Sequence, residues 1–241
     1  MIKHFLHSVV WTKRHLTGQY DVGEIAIVAR FLGPDEICLD IGAHAGSWTR
    51  PLSKLVERGH VYAFEALPYY AKVLKFTVTL LRLKNVTVFN YAVIDHNNPV
   101  TLIWRDNNGK SLTGLTHVAG LLEDTKDAIT VNSATVDAFI ASQNIKSPVA
   151  FVKCDVEGAE LMVVRGAVNM IKKFRPIFYL EVESHICRRY GYKAENLFDF
   201  FGLQKYDAYT ISGSDLSIVD KRVYSGQGDV LFVPTEKYLK G

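Results

Sequence analysis

The stretch Cys38-Leu-Asp-Ile-Gly-Ala-His-Ala-Gly-Ser-Trp-Thr49 decides how the rest of the chain is read. With Glu36 and Ile37 before it, it begins as a nearly continuous apolar run over 36–42, too short for a helix. That pattern predicts a strand buried on both faces. The strand carries an acid, Asp40, close to its end. Gly42 and Gly46 follow, and then a helical stretch over 47–58 with Pro51 near its first turn, where a missing N–H costs little. Glycines at such a turn let backbone pass close to a ligand, and a helix N-terminus offers free N–H groups. In an open α/β sheet the carboxyl ends of the strands form the ligand crevice. The spacing is D-x-G-x-x-x-G, not the G-x-G-x-x-G of dinucleotide-binding turns.

Outward from this turn the pattern alternates. Upstream, 22–32 reads as a helix stopped by Gly33-Pro34. Downstream come a strand over 60–66, a helix over 68–83 opening with Pro68, and a strand over 86–93. Residues 94–135 are less regular. The segments 99–104 and 128–136 read as strands around a Gly/Asn-rich loop over 105–120, which predicts an antiparallel insertion on the acceptor side. Regularity returns with a strand over 147–155, a helix over 157–174, a strand over 175–183 and a helix near 194–204. The segments 206–211 and 228–234 read as a closing antiparallel pair. Strands separated by helices predict an α/β fold: a doubly wound, mostly parallel sheet, here of seven strands with a C-terminal antiparallel strand pair.

Composition narrows the function classes. The chain has 241 residues, 48% hydrophobic and 22% charged, enough for one large domain and too apolar for disorder. Its 28 Lys and Arg against 25 Asp and Glu give a formal charge of +3. Residues 1–20 contain Lys3, Lys13 and Arg14 and no acid, so the bias sits in an N-terminal arm ahead of a neutral domain over 21–241. A neutral body excludes wholesale nucleic-acid binding, which relies on Lys and Arg to neutralise phosphates. Cys38, Cys154 and Cys187 form no CxxC pair. Cys38 and Cys154 lie inside apolar runs, so buried free thiols and a reducing, cytoplasmic location are expected. No stretch reaches the roughly 18 apolar residues of a membrane span. The opening MIKHFLHSVVWTKRHLTG lacks an unbroken apolar core and a cleavage site, so it does not read as a secretory signal.

The second strand ends at Glu65, 23 residues after Gly42. An acid at that distance suits a bidentate grip on two ribose hydroxyls. Asn90 and Ala92 close the third strand, where a base edge would lie; Asn90 alternatively caps a turn. The ordered set LDIGAHAG, YAFEALP, NYAV and VKCDVEGAELMVVRGA resembles the nucleotide half of Rossmann-like S-adenosylmethionine-dependent methyltransferases. The last segment is similar to the K-x-D-x-E-G-x-E signature of the FkbM-type methyltransferases.

That resemblance, spanning about 36–183, implies S-adenosylmethionine as cofactor. It implies cofactor contacts at Asp40, Gly42, Ala43, His44, Gly46, Glu65, Ala66, Asn90, Ala92 and Asp155. It also implies O-methylation of a hydroxyl on a sugar, glycolipid or natural product. His44 stands where the family commonly has Asn.

Lys153 and Asp155 share a strand face by the period of two, so Lys153 either pairs with Asp155 or binds substrate. An alcohol needs a base. Asp155 is favoured by position, Glu181 is next, and His185 is a loop histidine by the simpler reading. Glu157 and Glu160 fall in the first turn of the next helix, where acids favour the dipole without any catalytic role. Asp155, Glu157 and Glu181 are suitable oxygen ligands for a divalent cation, but no HxH or HExxH pattern accompanies them, and no metal site is expected. Trp104, Arg105, Lys110 and His117 of the insertion are either acceptor contacts or ordinary loop residues. Other readings are a different methyl acceptor (nitrogen or carboxyl), a nicotinamide-dependent oxidoreductase, which the glycine spacing disfavours, and a non-catalytic cofactor-binding scaffold.

The arm over 1–20 places Ile2, Phe5, Leu6, Val9 and Val10 at near-helical spacing beside its three cations. It caps the site, packs in a homodimer, or touches an anionic membrane surface. Co-sedimentation with anionic vesicles tests the last: equal pelleting with and without residues 1–20 removes the membrane role.

Overall fold

The computed structural model describes residues 22–104, 116–119, 128–213, 215–222 and 224–238. The arm over 1–20, and Arg105 and Lys110 of the insertion, lie outside the described residues. Helix α1 (Val22–Ala29) is followed by β1 (Ile37–Ile41), α2 (Thr49–Leu55), β2 (His60–Phe64), α3 (Pro68–Leu80) and β3 (Val86–Phe89). The short strand β4 (Ala92–Val93) leads into β5 (Val100–Ile103), β6 (His117–Val118), β7 (Ala128–Val131) and β8 (Ser133–Ala134). Then come α4 (Val136–Ser142), β9 (Val149–Cys154), α5 (Glu160–Arg165), α6 (Val168–Phe174), β10 (Ile177–Glu181), α7 (Ser184–Cys187) and α8 (Ala194–Leu203). The chain closes with β11 (Tyr206–Ser212), β12 (Asp215–Ile218), β13 (Asp229–Pro234) and α9 (Thr235–Tyr238).

The apolar runs behave as strands buried on both faces should. Along β1, Ile37, Leu39 and Ile41 join one apolar cluster while Cys38 joins the other. In β10, Phe178 and Leu180 alternate with Ile177 and Tyr179 in the same way. Helices α1 and α2 cover one face with Ile27, Val28, Leu52 and Val56. The other face is covered by α4, α5, α6 and α8, with Phe139, Leu161, Ile171 and Phe201 among the buried residues. Both faces are therefore dry, and a strand with one polar side would not fit the middle of the sheet.

The main sheet runs β12-β11-β13-β10-β9-β1-β2-β3. The contiguous pairs from β3 to β10 are parallel. Strand β13 is antiparallel to both β10 and β11. The count is eight strands, not the seven expected. The extra one is β12, a hairpin partner of β11 at the sheet edge, with Thr210 opposite Ser217. Its sequence, Asp-Leu-Ser-Ile, is largely exposed, so it lacks the apolar run by which the buried strands announce themselves. The insertion forms its own antiparallel sheet, ordered β6-β5-β7.

Two expected elements are divided. The third strand ends at Phe89, and Ala92 belongs instead to β4, which pairs with β8. The helix expected over 157–174 starts later, at Glu160, and breaks at Gly166. A Cβ there would stand 2.4 Å from the carbonyl oxygen of Ile94, so the chain turns where backbone meets backbone. The second half is capped from a distance: the Asp137 carboxylate accepts the N–H groups of Asn169 (2.9 Å) and Met170 (2.8 Å). Such capping satisfies amides that the helix itself cannot.

Strand order reverses at β1, whose successor β2 lies on one side and β9 on the other. The carboxyl tips of β1 and β9 thus border a crevice, where ligands of such sheets bind.

The wholly buried Phe178 ring packs edge-on against Phe201, with centroids 5.1 Å apart. Phe178→Ala is expected to cost about 3–5 kcal/mol of unfolding free energy, measured by the shift in urea midpoint at unchanged slope.

Candidate active site

The crevice holds a cavity of about 460 Å³, a size ordinary for small-molecule sites. Asp40, Gly42, Ala43, His44, Glu65, Ala66, Ala92, Lys153, Asp155 and Glu181 all line it. Elements distant in sequence converge here because four parallel strands end at this side of the sheet.

Gly42, at φ +79°, makes the convergence possible. A Cβ on it would lie 1.8 Å from the Asp155 carbonyl oxygen. The Asp155 N–H in turn donates to the Ile41 carbonyl at 3.0 Å. His44 also occupies the left-handed region, at φ 49°. Asn and His both tolerate that region better than most side chains, which accounts for His where the related family has Asn. Its ring lies 3.8 Å from that of Tyr70 on α3.

Glu65 is buried at the tip of β2. Its two carboxylate oxygens accept the N–H groups of His44 (2.8 Å) and Leu67 (2.7 Å). Each oxygen keeps a lone pair for a further donor. Burial pushes this carboxyl up to about 7, against the pull of those two amides. Asp40 accepts the Thr49 hydroxyl, tying β1 to the start of α2. Burial raises it to about 6, partly offset by that hydroxyl and by the Lys153 charge.

The opposite wall is acidic. Lys153 is buried on β9, with Nζ 3.2 Å from Asp229 Oδ1 and 3.5 Å from Asp155 Oδ2. Its ammonium also lies 5.0 Å from the Tyr179 ring centre and 5.9 Å from that of Trp48. Burial pulls its pKa down, but Asp155 and Asp229 outweigh that and hold it above the usual lysine value. Burial, then the Asp155 charge, pushes Glu157 up to about 8 and Glu181 to about 9. Oxygens of Asp155, Glu157 and Glu181 lie within 4.8 Å of one another, the donor set a hard divalent cation would use.

Several residues depart from their expected places. Asn90 is outside the cavity lining; its amide donates to the Glu65 and Ala66 carbonyls, each at 2.9 Å, and so braces the tip of β2. Gly46 is also outside the lining. It is needed for packing, since a Cβ at its φ of +97° would meet Leu74 at 2.6 Å. His185 faces away, exposed and 3.3 Å from Glu183. Of the insertion residues, His117 lines the cavity and Trp104 does not. Glu157 sits in a left-handed turn, φ 56°, ahead of the helix rather than in its first turn.

Glu160 is not a dipole ornament. Its buried carboxylate accepts the Val156 N–H (3.0 Å) and the Gly158 N–H (3.2 Å), and so shapes the Asp155–Gly158 loop. Burial raises it to about 7. Tyr192 supports the same loop by donating to the Gly158 carbonyl at 2.6 Å. Residue-by-residue reading missed Tyr70, Tyr91 and Trp48, which line the cavity, and Asp229 behind it. None carries a local motif; each enters only through the packing of its element.

The family model described as methyltransferase FkbM domain matches residues 40–207. The chain belongs to the FkbM methyltransferase domain family. This methyltransferase uses S-adenosylmethionine as its cofactor. A search of curated protein sequences finds no match. Among solved structures, the fold is similar to a methyltransferase FkbM from Methylobacillus flagellatus KT at TM-score 0.52 and 14% identity, covering 83% of this chain and 44% of that one. The chain therefore spans less than half the length of that relative. It is also similar to a putative O-methyltransferase from Klebsiella pneumoniae at TM-score 0.53 and 11% identity, covering 93% of this chain and 89% of that one.

The cofactor fits what the FkbM-type site presents: a glycine-lined approach at Gly42, a buried carboxylate with spare acceptor capacity at Glu65, and acidic walls for a cation. No helix among the described residues is long and apolar enough to cross a membrane.

The raised carboxyls set a pH dependence of stability. Glu65, Glu157, Glu160 and Glu181 leave their ordinary value of 4.5 for about 7, 8, 7 and 9, so the folded form keeps protons that the unfolded chain releases. The unfolded state binds fewer protons across that window, and unfolding free energy falls as pH rises. Melting of the ligand-free protein is expected to occur at steadily lower temperature from pH 5 to pH 9; a flat or rising profile contradicts these assignments.

Proposed function

We propose that this methyltransferase moves a methyl group onto a hydroxyl of a sugar, glycolipid or natural product. The observation that carries the reading is the placement of Asp155. Its side chain is 39% exposed at the mouth of the crevice, while Lys153 behind it is 5% exposed. A carboxylate held from the rear and open at the front can take a proton from an incoming hydroxyl.

When bound, the cofactor supplies an electrophilic methyl on a sulfonium, the chemistry that the protein itself lacks. The chain's own residues hold, orient and deprotonate. Glu65 would accept two ribose hydroxyls with the lone pairs its amide bonds leave. Gly42 and Ala43 let backbone approach the cofactor. Asp155 would accept the hydroxyl proton at a carboxylate oxygen as the nucleophile is consumed. Glu181 and Glu157, raised by burial and then by the charge of Asp155, would stand protonated beside it and donate hydrogen bonds to neighbouring acceptor oxygens. Tyr91, Leu102 and Val118 give the cavity an apolar side suited to the carbon skeleton of such an acceptor. The neutral domain and the three buried, unpaired cysteines support a cytoplasmic enzyme of small-molecule or glycan acceptors rather than of nucleic acid.

A second reading rests on the three carboxylates within 4.8 Å. A divalent cation held there would acidify the hydroxyl directly. Chelation separates the two: under the base reading, turnover with labelled cofactor survives dialysis against EDTA, whereas loss restored by added magnesium would favour the cation. Under the base reading Asp155→Asn lowers turnover by about 10²–10⁴-fold, while cofactor affinity in calorimetry falls far less. Full activity in that variant would move the base elsewhere.

A further inference from the structure

Asp229 lies 76 residues from Lys153 and outside every motif, yet it makes the closer contact with it. Its place is built with care. Gly228 precedes it at φ +107°, with its N–H on Glu183 Oε1 at 3.1 Å and its carbonyl on the Val182 N–H at 3.0 Å. The Tyr224 hydroxyl donates to the Gly228 and Val182 carbonyls, at 2.9 and 3.1 Å. The turn is thereby stitched to the end of β10, and Asp229 enters β13 directly opposite Glu181. Two acids facing across antiparallel strands repel each other only when both are ionised, and Glu181, pushed up by burial, holds its proton. The charge of Asp229 is met by the Lys153 ammonium, which reaches across from β9 to stand 3.2 Å away.

Lys153 is the one buried lysine or arginine among the described residues, and Asp155, Asp229 and Glu181 all act on its charge. Its geometry shows which partner has first claim. The Asp229 contact is a hydrogen bond, and the Asp155 contact, at 3.5 Å, is a looser ion pair. Were Asp229 absent, the ammonium would be left to Asp155 alone, and the wall of the cavity would be one negative charge poorer.

We propose that Asp229 is a positioning residue of the transfer site: it engages the Lys153 ammonium from the sheet side, so that the Asp155 carboxylate stays directed at the cavity and the wall stays negative enough to favour a cationic ligand. The inference rests on the cofactor assignment above. It identifies a function for the C-terminal strand, which no cofactor motif touches.

S-adenosylmethionine carries a sulfonium charge that its demethylated product, S-adenosylhomocysteine, lacks. The ratio of their dissociation constants therefore reads the field in the cavity, and needs neither an acceptor nor turnover. In calorimetry with the full chain, Asp229→Asn is expected to weaken S-adenosylmethionine relative to S-adenosylhomocysteine by about fivefold. Asp229→Glu, which keeps the charge, should leave the ratio within about twofold of wild type. The double variant Lys153→Met/Asp229→Asn removes both charges and should bring the ratio back towards wild type. Equal weakening of both ligands by Asp229→Asn would reduce Asp229 to a strand-holding role and overturn the proposal, as would an unchanged ratio. Wild-type protein that binds neither ligand would instead overturn the cofactor assignment on which the proposal rests.

Discussion

The tips of β1 and β9 can meet only because residue 42 has no side chain. With a Cβ, position 42 would press within 1.8 Å of the Asp155 carbonyl. That single approach joins the two strands whose ends flank the reversal of strand order. The cofactor side of the cavity hangs from β1 and β2, and the transfer side from β9 and β10. Separate them and Asp40, Glu65 and Asp155 no longer share a cavity. The left-handed backbone at Gly42 and His44 follows from the same constraint, since the chain must leave β1 sharply enough to present the His44 N–H to Glu65.

Electrostatics form the second layer. Five lining carboxyls surround one buried ammonium. Burial makes the ionised forms of Asp40, Glu65, Glu157 and Glu181 costly, so several hold protons near neutral pH, and Lys153 stays charged because two acids grip it. A site so arranged favours a ligand that brings its own positive charge. Backbone amides keep two acids in place: His44 and Leu67 hold Glu65 in the lining, and Val156 and Gly158 hold Glu160 against the loop that carries Asp155 and Glu157. Acids fixed this way lose little freedom when a ligand arrives.

Much of this was legible in the chain. Continuous apolar runs marked the strands buried on both faces, and the glycine-acid pattern marked the crevice. Asp40, Gly42, Glu65, Lys153, Asp155 and Glu181 were all chosen from sequence, and they line one cavity. The errors share a cause. Strand β12 is too polar and exposed to signal itself. Asn90 looked like a ligand contact because it follows a strand, but its amide is consumed by the carbonyls of Glu65 and Ala66. Glu160 looked like a dipole partner because it opens a helix, but its carboxylate folds back onto the preceding loop.

The sequence by itself determined which segments are strands, where glycine is obligatory, and which acids stand at strand ends, because periodicity and backbone restriction act over a few residues. Only the tertiary structure decided which of those acids face one another and what neutralises them. Asp229 meets Lys153 solely because β13 enters the sheet antiparallel beside β10, a pairing governed by long-range packing that no local pattern encodes.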